Sequence, residues 1–377
     1  MPLSRLRVLL AGELAGVVAL ALLHVPLDLE IYRRGGAAVR RDGALYADQL
    51  LGHWFTYPPF AAELFRPLAL LPDGLVRVGW ALASVAALAS AARDCLLLAG
   101  KDPAGRVPSL VAAALPLEPV WHTLALGQVN LLLLAAVLAD LRRAYEGRSA
   151  GIGVGLAAAV KLTPGVFVVL LLVTSRRRCA ARAVTVAAGC TALGAVLAPT
   201  ASLRYWSGLF HDTSRVGVAY IADQSPYGVA ARLLGGPDQV PGAFVLLPLA
   251  LGAVGLAVAR AAALRGDSLR ATAAAGVAGL LLSPVSWTHH WVWALPALLV
   301  LAAERPRAAA TAYAVLLVSP PWWTPHDGGP REYGWHGLVT VAADAYLLLG
   351  VGLLALLAHP PASTPARPRE DAGAAVR

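Results

Sequence analysis

Long apolar runs separated by short polar stretches set the pattern of this chain. Residues 8–27 are almost wholly apolar, and at about 1.5 Å per helical residue such a run crosses the roughly 30 Å hydrocarbon core of a bilayer. A polar, aromatic stretch follows over 28–60, from Asp28 through Tyr46 to Trp54-Phe55-Thr56-Tyr57-Pro58-Pro59-Phe60. Residues 61–72 are apolar but short, bounded by prolines and carrying Glu63 and Arg66, which fits an interfacial or re-entrant piece. Residues 74–99 form a full span. Shorter segments follow over 108–118, 124–141 and 149–174, then a crossing over 183–199 and a second long polar segment over about 201–242. Further crossings are predicted over 243–264, 271–286, 292–303, 308–321 and 336–358. The pattern predicts an all-α polytopic membrane bundle of roughly 10–12 transmembrane or re-entrant helices. It forms one domain over 1–360 and leaves a Pro/Ala/Arg tail over 361–377 that reads as disordered and cytoplasmic.

Composition narrows the class. The chain has 377 residues, 58% hydrophobic and 14% charged, where a soluble domain carries roughly 25% charged residues. A net charge of +9 suggests nucleic acid only until the arginines are located. They fall in short clusters between apolar runs, the signature of cytoplasmic loops, so no nucleic-acid partner is expected. Cys95, Cys179 and Cys190 have neither C-x-x-C nor Cys/His spacing, and no disulfide framework or zinc site follows. The N-terminus begins like a signal peptide, with a small-x-small triplet at Ala19-Leu20-Ala21. The apolar run continues past that triplet, so an uncleaved first helix is expected.

The basic clusters give the orientation. With Arg5 and Arg7 inside, the clusters at Lys101/Arg106, Arg142/Arg143/Arg148, Arg260/Arg265/Arg270 and Arg305/Arg307 also come out inside. Outer loops of about 28–60, 201–242 and 320–335 then hold most of the hydrogen-bonding side chains, together with His289 and His290 at an outer helix end. The expected location is the plasma membrane, multi-pass, with any chemistry facing the extracytoplasmic side. One segment resists: a straight helix over 149–174 would carry basic clusters on both sides. A break at Lys161-Leu162-Thr163-Pro164 resolves this into helices over 149–160 and 164–174 that dip in and return. Broken backbone at membrane depth is tolerated where it lines a cavity, which places a cavity near Lys161.

Several residues are candidates for chemistry. Asp28 is a carboxylate at the membrane face, either a helix cap or a general base for substrates arriving through lipid. Glu30, two residues on, points elsewhere on a helix or turn. Lys161 costs about 2.5–3.5 kcal/mol in an apolar stretch; a phosphate partner offsets that cost, and snorkelling to the interface is the alternative. Arg33, Arg34, Arg40 and Arg41 lie in an outer loop where the positive-inside rule disfavours them, so a phosphate or anionic headgroup is expected nearby. His289 and His290 stand among Trp287, Trp291 and Trp293, as phosphate or sugar donors, as a shared base, or as part of an interfacial aromatic belt. Gln128 and Asn130 suit sugar hydroxyls or bonds between helices. Tyr57 sits in a proline-fixed loop. Gln224 and Ser225 are candidate acceptor contacts. No Asp-x-Asp pair stands in an outer loop, no His/Glu set has metal spacing, and no phosphate-binding glycine loop occurs, so neither a metal nor another cofactor is expected.

Six short motifs occur in order: Asp28-Leu-Glu-Ile-Tyr32, Tyr57-Pro-Pro-Phe60, Gly127-Gln-Val-Asn130, Lys161-Leu-Thr-Pro164, Asp223-Gln-Ser225 and Ser283-Pro-Val-Ser-Trp-Thr-His-His-Trp291. In this the chain resembles glycosyltransferase family 87, the actinobacterial polyprenol-phosphate-mannose-dependent α-(1→2)-mannosyltransferases. The resemblance spans roughly residues 20–300. It departs at Asp223-Gln-Ser-Pro226, where the family has Asn-Gln-Ser and a basic residue, which bears on the acceptor more than on the reaction class. The resemblance implies a GT-C membrane fold, a polyprenyl phosphomannose donor and a glycolipid or glycan acceptor. It further implies inverting transfer in one displacement, which needs a base for the acceptor proton, a role that Asp28 suits, and stabilisation for the departing phosphate. Two other readings stand beside it. One is a GT-C enzyme using another polyprenyl-phosphate sugar, such as arabinofuranose. The other is a transporter or flippase of a lipid-linked sugar, which should show internal repeats that this chain lacks.

Overall fold

The computed structural model describes residues 3–41 and 43–360; the tail expected over 361–377 lies outside them. Helix α1 (Leu3–Leu23) ends before Pro26, and α2 (Leu27–Ala38) begins immediately after it. Proline has no N–H to continue a helix and pushes its predecessor out of the helical region. This corrects two expectations. The first apolar run is not one helix to residue 27, and the first outer stretch is not a loop where it begins. Asp28 therefore sits in the first turn of its own helix, where it makes no capping bond.

The chain continues through α3 (Pro59–Phe65), a 3-10 turn over Arg66–Leu70 and the long α4 (Asp73–Leu98). Helices α5 (Val107–Ala114) and α6 (Glu118–Leu126) bend by 78° at their junction. Here the pattern predicts helices over 108–118 and 124–141. Instead α6 occupies the predicted gap, and the return is α7 (Asn130–Tyr145). Gly127 causes the shift. Its φ of 67° ends α6 in a Schellman turn, with Gly127 N–H on Leu124 O and Gln128 N–H on Thr123 O. The break expected at Lys161 is present between α8 (Ile152–Val160) and α9 (Val166–Val173), with a 3-10 turn over Thr163–Gly165.

Next come α10 (Arg177–Leu197), α11 (Pro199–Trp206), α12 (Pro226–Leu234), α13 (Leu246–Leu264) and α14 (Ser268–Leu282). A 3-10 turn over Thr288–Ala294 leads into α15 (Leu295–Glu304) and α16 (Pro306–Val318). The final helix predicted over 336–358 is two, α17 (Leu338–Ala343) and α18 (Ala345–Ala358). Asp344 stands at the break because its carboxylate turns inward to Arg232, at 2.6 Å, in a buried ion pair. Among the described residues β-type pairing is confined to two isolated bridges.

Helix α14 is the centre of the second half: Leu269 through Leu281 are all buried, against α13, α15, α18 and α9. Its run of Ala and Gly lets neighbours approach closely, the usual basis of helix packing in lipid, where apolar burial gives little drive. A Cβ on Gly255 of α13 would lie 2.5 Å from the Ala278 Cβ. Outward, the polarity inverts. Val8, Leu23, Val196 and Leu246 are among the many large apolar side chains left exposed, as a lipid-facing surface requires. Four helices among the described residues are long and apolar enough to cross a membrane: 4–23, 73–98, 177–197 and 242–264.

The polar loops gather at two ends, as the charge pattern expects. At one, Arg142 pairs with Asp94, Arg182 bonds Ser149, and Arg270 binds Asp267 and Glu304. At the other, Arg204 bonds Gly43 O, Arg215 covers Trp54, and Ala222–Asp223 joins Ser286–Thr288.

Candidate active site

At this second end a cavity of about 1080 Å3 opens between α2, the 52–58 loop, the Lys161 break, the 205–222 segment and the 283–290 loop. Asp28, Tyr57, Gln128, Lys161, His289 and His290 all line it, drawn from five separate stretches of sequence.

Helix α2 aims Asp28. Residues four apart share a helix face, so Asp28 and Tyr32 point into the cavity together while Glu30, Arg33 and Arg34 project elsewhere. Gly127 brings the partner: with no Cβ, which would fall 2.5 Å from the Leu29 Cβ, it lets α2 lie against the turn that carries Gln128. Gln128 Nε2 then donates to Asp28 Oδ2 at 2.9 Å. Its Oε1 faces the Tyr32 and Tyr57 hydroxyls at 2.7 and 2.9 Å, and the two phenols are 2.8 Å apart. Burial pushes both phenols above their ordinary value, so they stay donors, and the amide can be satisfied in one orientation only. Burial also raises the Asp28 carboxyl above the usual carboxylate range, against the pull of the Gln128 bond and the Lys161 charge. Asp28 Oδ1 receives no hydrogen bond among the described residues. The other carboxylate on the wall, Asp212, is occupied in capping a turn through Ser214 N.

Lys161 stands where α8 stops, in extended backbone. Its Nζ lies 2.9 Å from Asn130 Oδ1, 2.9 Å from His290 Nε2, and 5.5 Å over the Tyr57 ring. An ammonium can only donate, so His290 Nε2 accepts and its proton sits on Nδ1. Asn130 does not line the cavity; it bridges Lys161 to the backbone, donating through Nδ2 to His289 O at 3.1 Å. Thr123 Oγ1 donates to the same carbonyl at 3.1 Å. His289 is 6% exposed, yet neither ring nitrogen has a partner among the described residues.

Other candidates lie elsewhere. Arg33 bonds Leu68 O and Leu71 O and pairs with Glu30 and Asp73. Arg34 pairs with Glu30 at 3.5 Å, and Arg40 with Glu63 at 3.0 Å. Arg33 ties α2 to its neighbours, and the cationic part of the cavity wall is left to Lys161 and Arg215. Gln224 is fully buried, donating to Ile221 O and Ala343 O and accepting from Tyr346 N. Ser225 caps α12 and donates to Pro284 O. Both are structural. Asp223 is too: its Oδ1 takes the backbone N–H of Ser225 and Ser286, pinning the histidine-bearing loop, and burial raises its carboxyl to about 6.

Four wall residues were not singled out by the sequence pattern: His122, Tyr220, Arg215 and Trp322. For His122 a signal existed, since Glu118 and His122 stand four apart in an otherwise apolar helix.

A many-helix apolar bundle with a polar, carboxylate-bearing cavity at one end is the frame of a polytopic membrane enzyme. The family comparison identifies which kind: residues 55–284 match glycosyltransferase family 87. The chain belongs to that family and is a membrane glycosyltransferase. It is 36% identical over 345 residues to a Mycobacterium tuberculosis polyprenol-phosphate-mannose-dependent α-(1-2)-phosphatidylinositol pentamannoside mannosyltransferase, covering 84% of this chain and 79% of that one. It is 35% identical over 354 residues to the phosphatidylinositol mannoside mannosyltransferase of the same species, covering 86% and 82%. A Mycolicibacterium smegmatis pentamannoside mannosyltransferase is 36% identical over 346 residues, covering 84% and 82%. No solved structure matches the chain.

Proposed function

We propose that this enzyme transfers mannose from a polyprenyl phosphomannose to a phosphatidylinositol mannoside on the extracytoplasmic side of the plasma membrane. The names of its relatives support the donor and the acceptor class. The observation that carries the mechanism is the pairing of a free carboxylate oxygen on Asp28 with the Lys161 ammonium, held by His290, in one cavity.

Asp28 accepts the proton of the acceptor hydroxyl as that oxygen attacks the anomeric carbon. The bond from the anomeric carbon to the phosphate oxygen breaks, and its electron pair leaves on the phosphate. The donor phosphodiester, a monoanion, departs as a polyprenyl phosphomonoester with one more negative charge. Lys161, held in place by Asn130 and His290, stabilises that added charge, and fixed donors aimed at developing charge are worth most where water is excluded. One base for the acceptor proton suits one displacement with inversion. Gln128, itself held by Tyr57, holds Asp28, and both border the sugar.

The test offers purified enzyme in lipid polyprenyl phosphomannose or polyprenyl phosphoarabinose with a panel of mannolipid acceptors. Mannosylated lipid and released polyprenyl phosphate are expected from the first donor alone. Transfer from the arabinose donor alone would overturn the mannosyl assignment.

A further inference from the structure

Glu118 and His122 form a carboxylate–imidazole pair that the mechanism above does not use. They sit one turn apart on α6, with His122 Nδ1 2.8 Å from Glu118 Oε1. Glu118 is 1% exposed, and its oxygens also take Trp322 Nε1 at 2.8 Å and Tyr346 OH at 2.9 Å. Since a carboxylate accepts and an indole can only donate, the His122 proton on this side belongs to Nδ1. The other nitrogen, Nε2, makes no hydrogen bond among the described residues. The side chain lines the cavity and keeps 17% exposure. Next to it stands His289, buried and unpartnered at both nitrogens, with ring centroids 5.4 Å apart. Buried polar groups in proteins are nearly always bonded, so this wall is built for a polar ligand.

The wall has a direction. Lys161 touches His290 at 2.9 Å, the His290 and His289 rings are 4.7 Å apart, and His122 with its carboxylate closes the far end. A cation at one end suits phosphate. An Nε2 lone pair backed by a carboxylate repels phosphate oxygens and accepts from a hydroxyl. His122 also lies within electrostatic range of Asp28, the group that receives the acceptor's proton.

We propose that His122 contacts the acceptor, taking a hydrogen bond from a sugar hydroxyl at Nε2, and that Glu118 is the positioning residue that fixes its tautomer. This rests on the mannosyl-transfer reading above.

The experiment measures donor and acceptor KM separately for the full-length enzyme in lipid, with polyprenyl phosphomannose and a phosphatidylinositol mannoside. In His122→Asn the shorter amide still donates to Glu118 but ends short of the Nε2 position. Acceptor KM is expected to rise about three- to tenfold, the range of one lost hydrogen bond, with donor KM and thermal midpoint unchanged. His122→Gln, which carries an amide to the Nε2 position, recovers part of the loss. Unchanged acceptor KM in His122→Asn overturns the proposal and leaves mannosyl transfer standing. A parallel rise in donor KM, or a fall in thermal midpoint that takes every parameter with it, also overturns it. Wild-type enzyme that transfers no mannose overturns the mannosyl reading, and this assignment with it.

Discussion

Gln128 Nε2 stands 2.9 Å from Asp28 Oδ2 across 100 residues of sequence, while Oε1 of the same amide is held by the Tyr32 and Tyr57 phenols. The amide thus fixes one oxygen of the carboxylate and leaves the other without a hydrogen bond among the described residues. Its replacement by a carboxylate changes the charge beside Asp28 without changing the shape. A like charge disfavours ionisation and raises the Asp28 pKa further. A base must be ionised to act, so Gln128→Glu moves the acidic limb of the kcat/KM profile to higher pH. Rate measurements from pH 4 to 8 check the direction; a limb unmoved or moved downward contradicts it.

Gly127→Ala tests how Asp28 comes to face the cavity. The φ of 67° costs a non-glycine residue about 1–2 kcal/mol, and the added Cβ would push on Leu29 of α2. Activity should fall more than tenfold, well beyond the fall in thermal stability, because α2 carries Asp28, the proposed base. Gly16→Ala, whose Cβ meets nothing within 4 Å, serves as the control and should retain activity. Equal activity in the two variants would show that the close approach of α2 does not matter.

Much of this arrangement is legible in the sequence, and the parts that are not have physical reasons. The break at Lys161 follows from charge alone, because a straight helix would leave basic clusters on both sides. The polar residues also sort to one end as the apolar runs predict. The role of α2 is not legible, since 28–41 carries too many charges to read as a membrane helix and its turn-by-turn face shows only once it is helical. That face decides why Asp28 reaches the cavity while Arg33 and Arg34 pair with Glu30. Gln224 and Ser225 read as acceptor contacts because an outer loop was expected there, whereas the loop folds inward and buries both. Asp344 could be read as a helix interior position; its partner Arg232 lies 112 residues away.

Lys161→Met removes the cation proposed for the phosphate. Donor KM should rise about ten- to a hundredfold, the loss expected for a charge-assisted hydrogen bond, with acceptor KM much less affected. Asn130 and His290 also lose a partner, so the thermal midpoint is followed in the same preparation. A variant whose donor KM matches wild type would remove Lys161 from the phosphate site.

Asp223 gives a prediction about stability rather than rate. Burial lifts its folded-state pKa from 3.8 to about 6. Its contribution to stability is therefore fully present below the unfolded value and lost as pH rises through about 6. Asp223 Oδ2 has no partner, so an amide can replace the carboxyl while Oδ1 still accepts from Ser225 and Ser286. Asp223→Asn should match wild type in thermal midpoint near pH 4 and exceed it at pH 7.5. A variant less stable than wild type at pH 7.5 would mean that the charge itself is needed there.

Removing the carboxylate of Asp28 tests its assignment as the base. Mannose transfer to a phosphatidylinositol mannoside is compared for wild type and Asp28→Asn, with donor binding measured alongside. Asparagine keeps the shape beside Gln128 but cannot take a proton. General-base catalysis contributes about 100- to 10,000-fold. A loss of kcat in that range is expected, with donor affinity near wild type. Near-normal turnover in Asp28→Asn would contradict it, and the base would have to be sought among His289, His290 and His122.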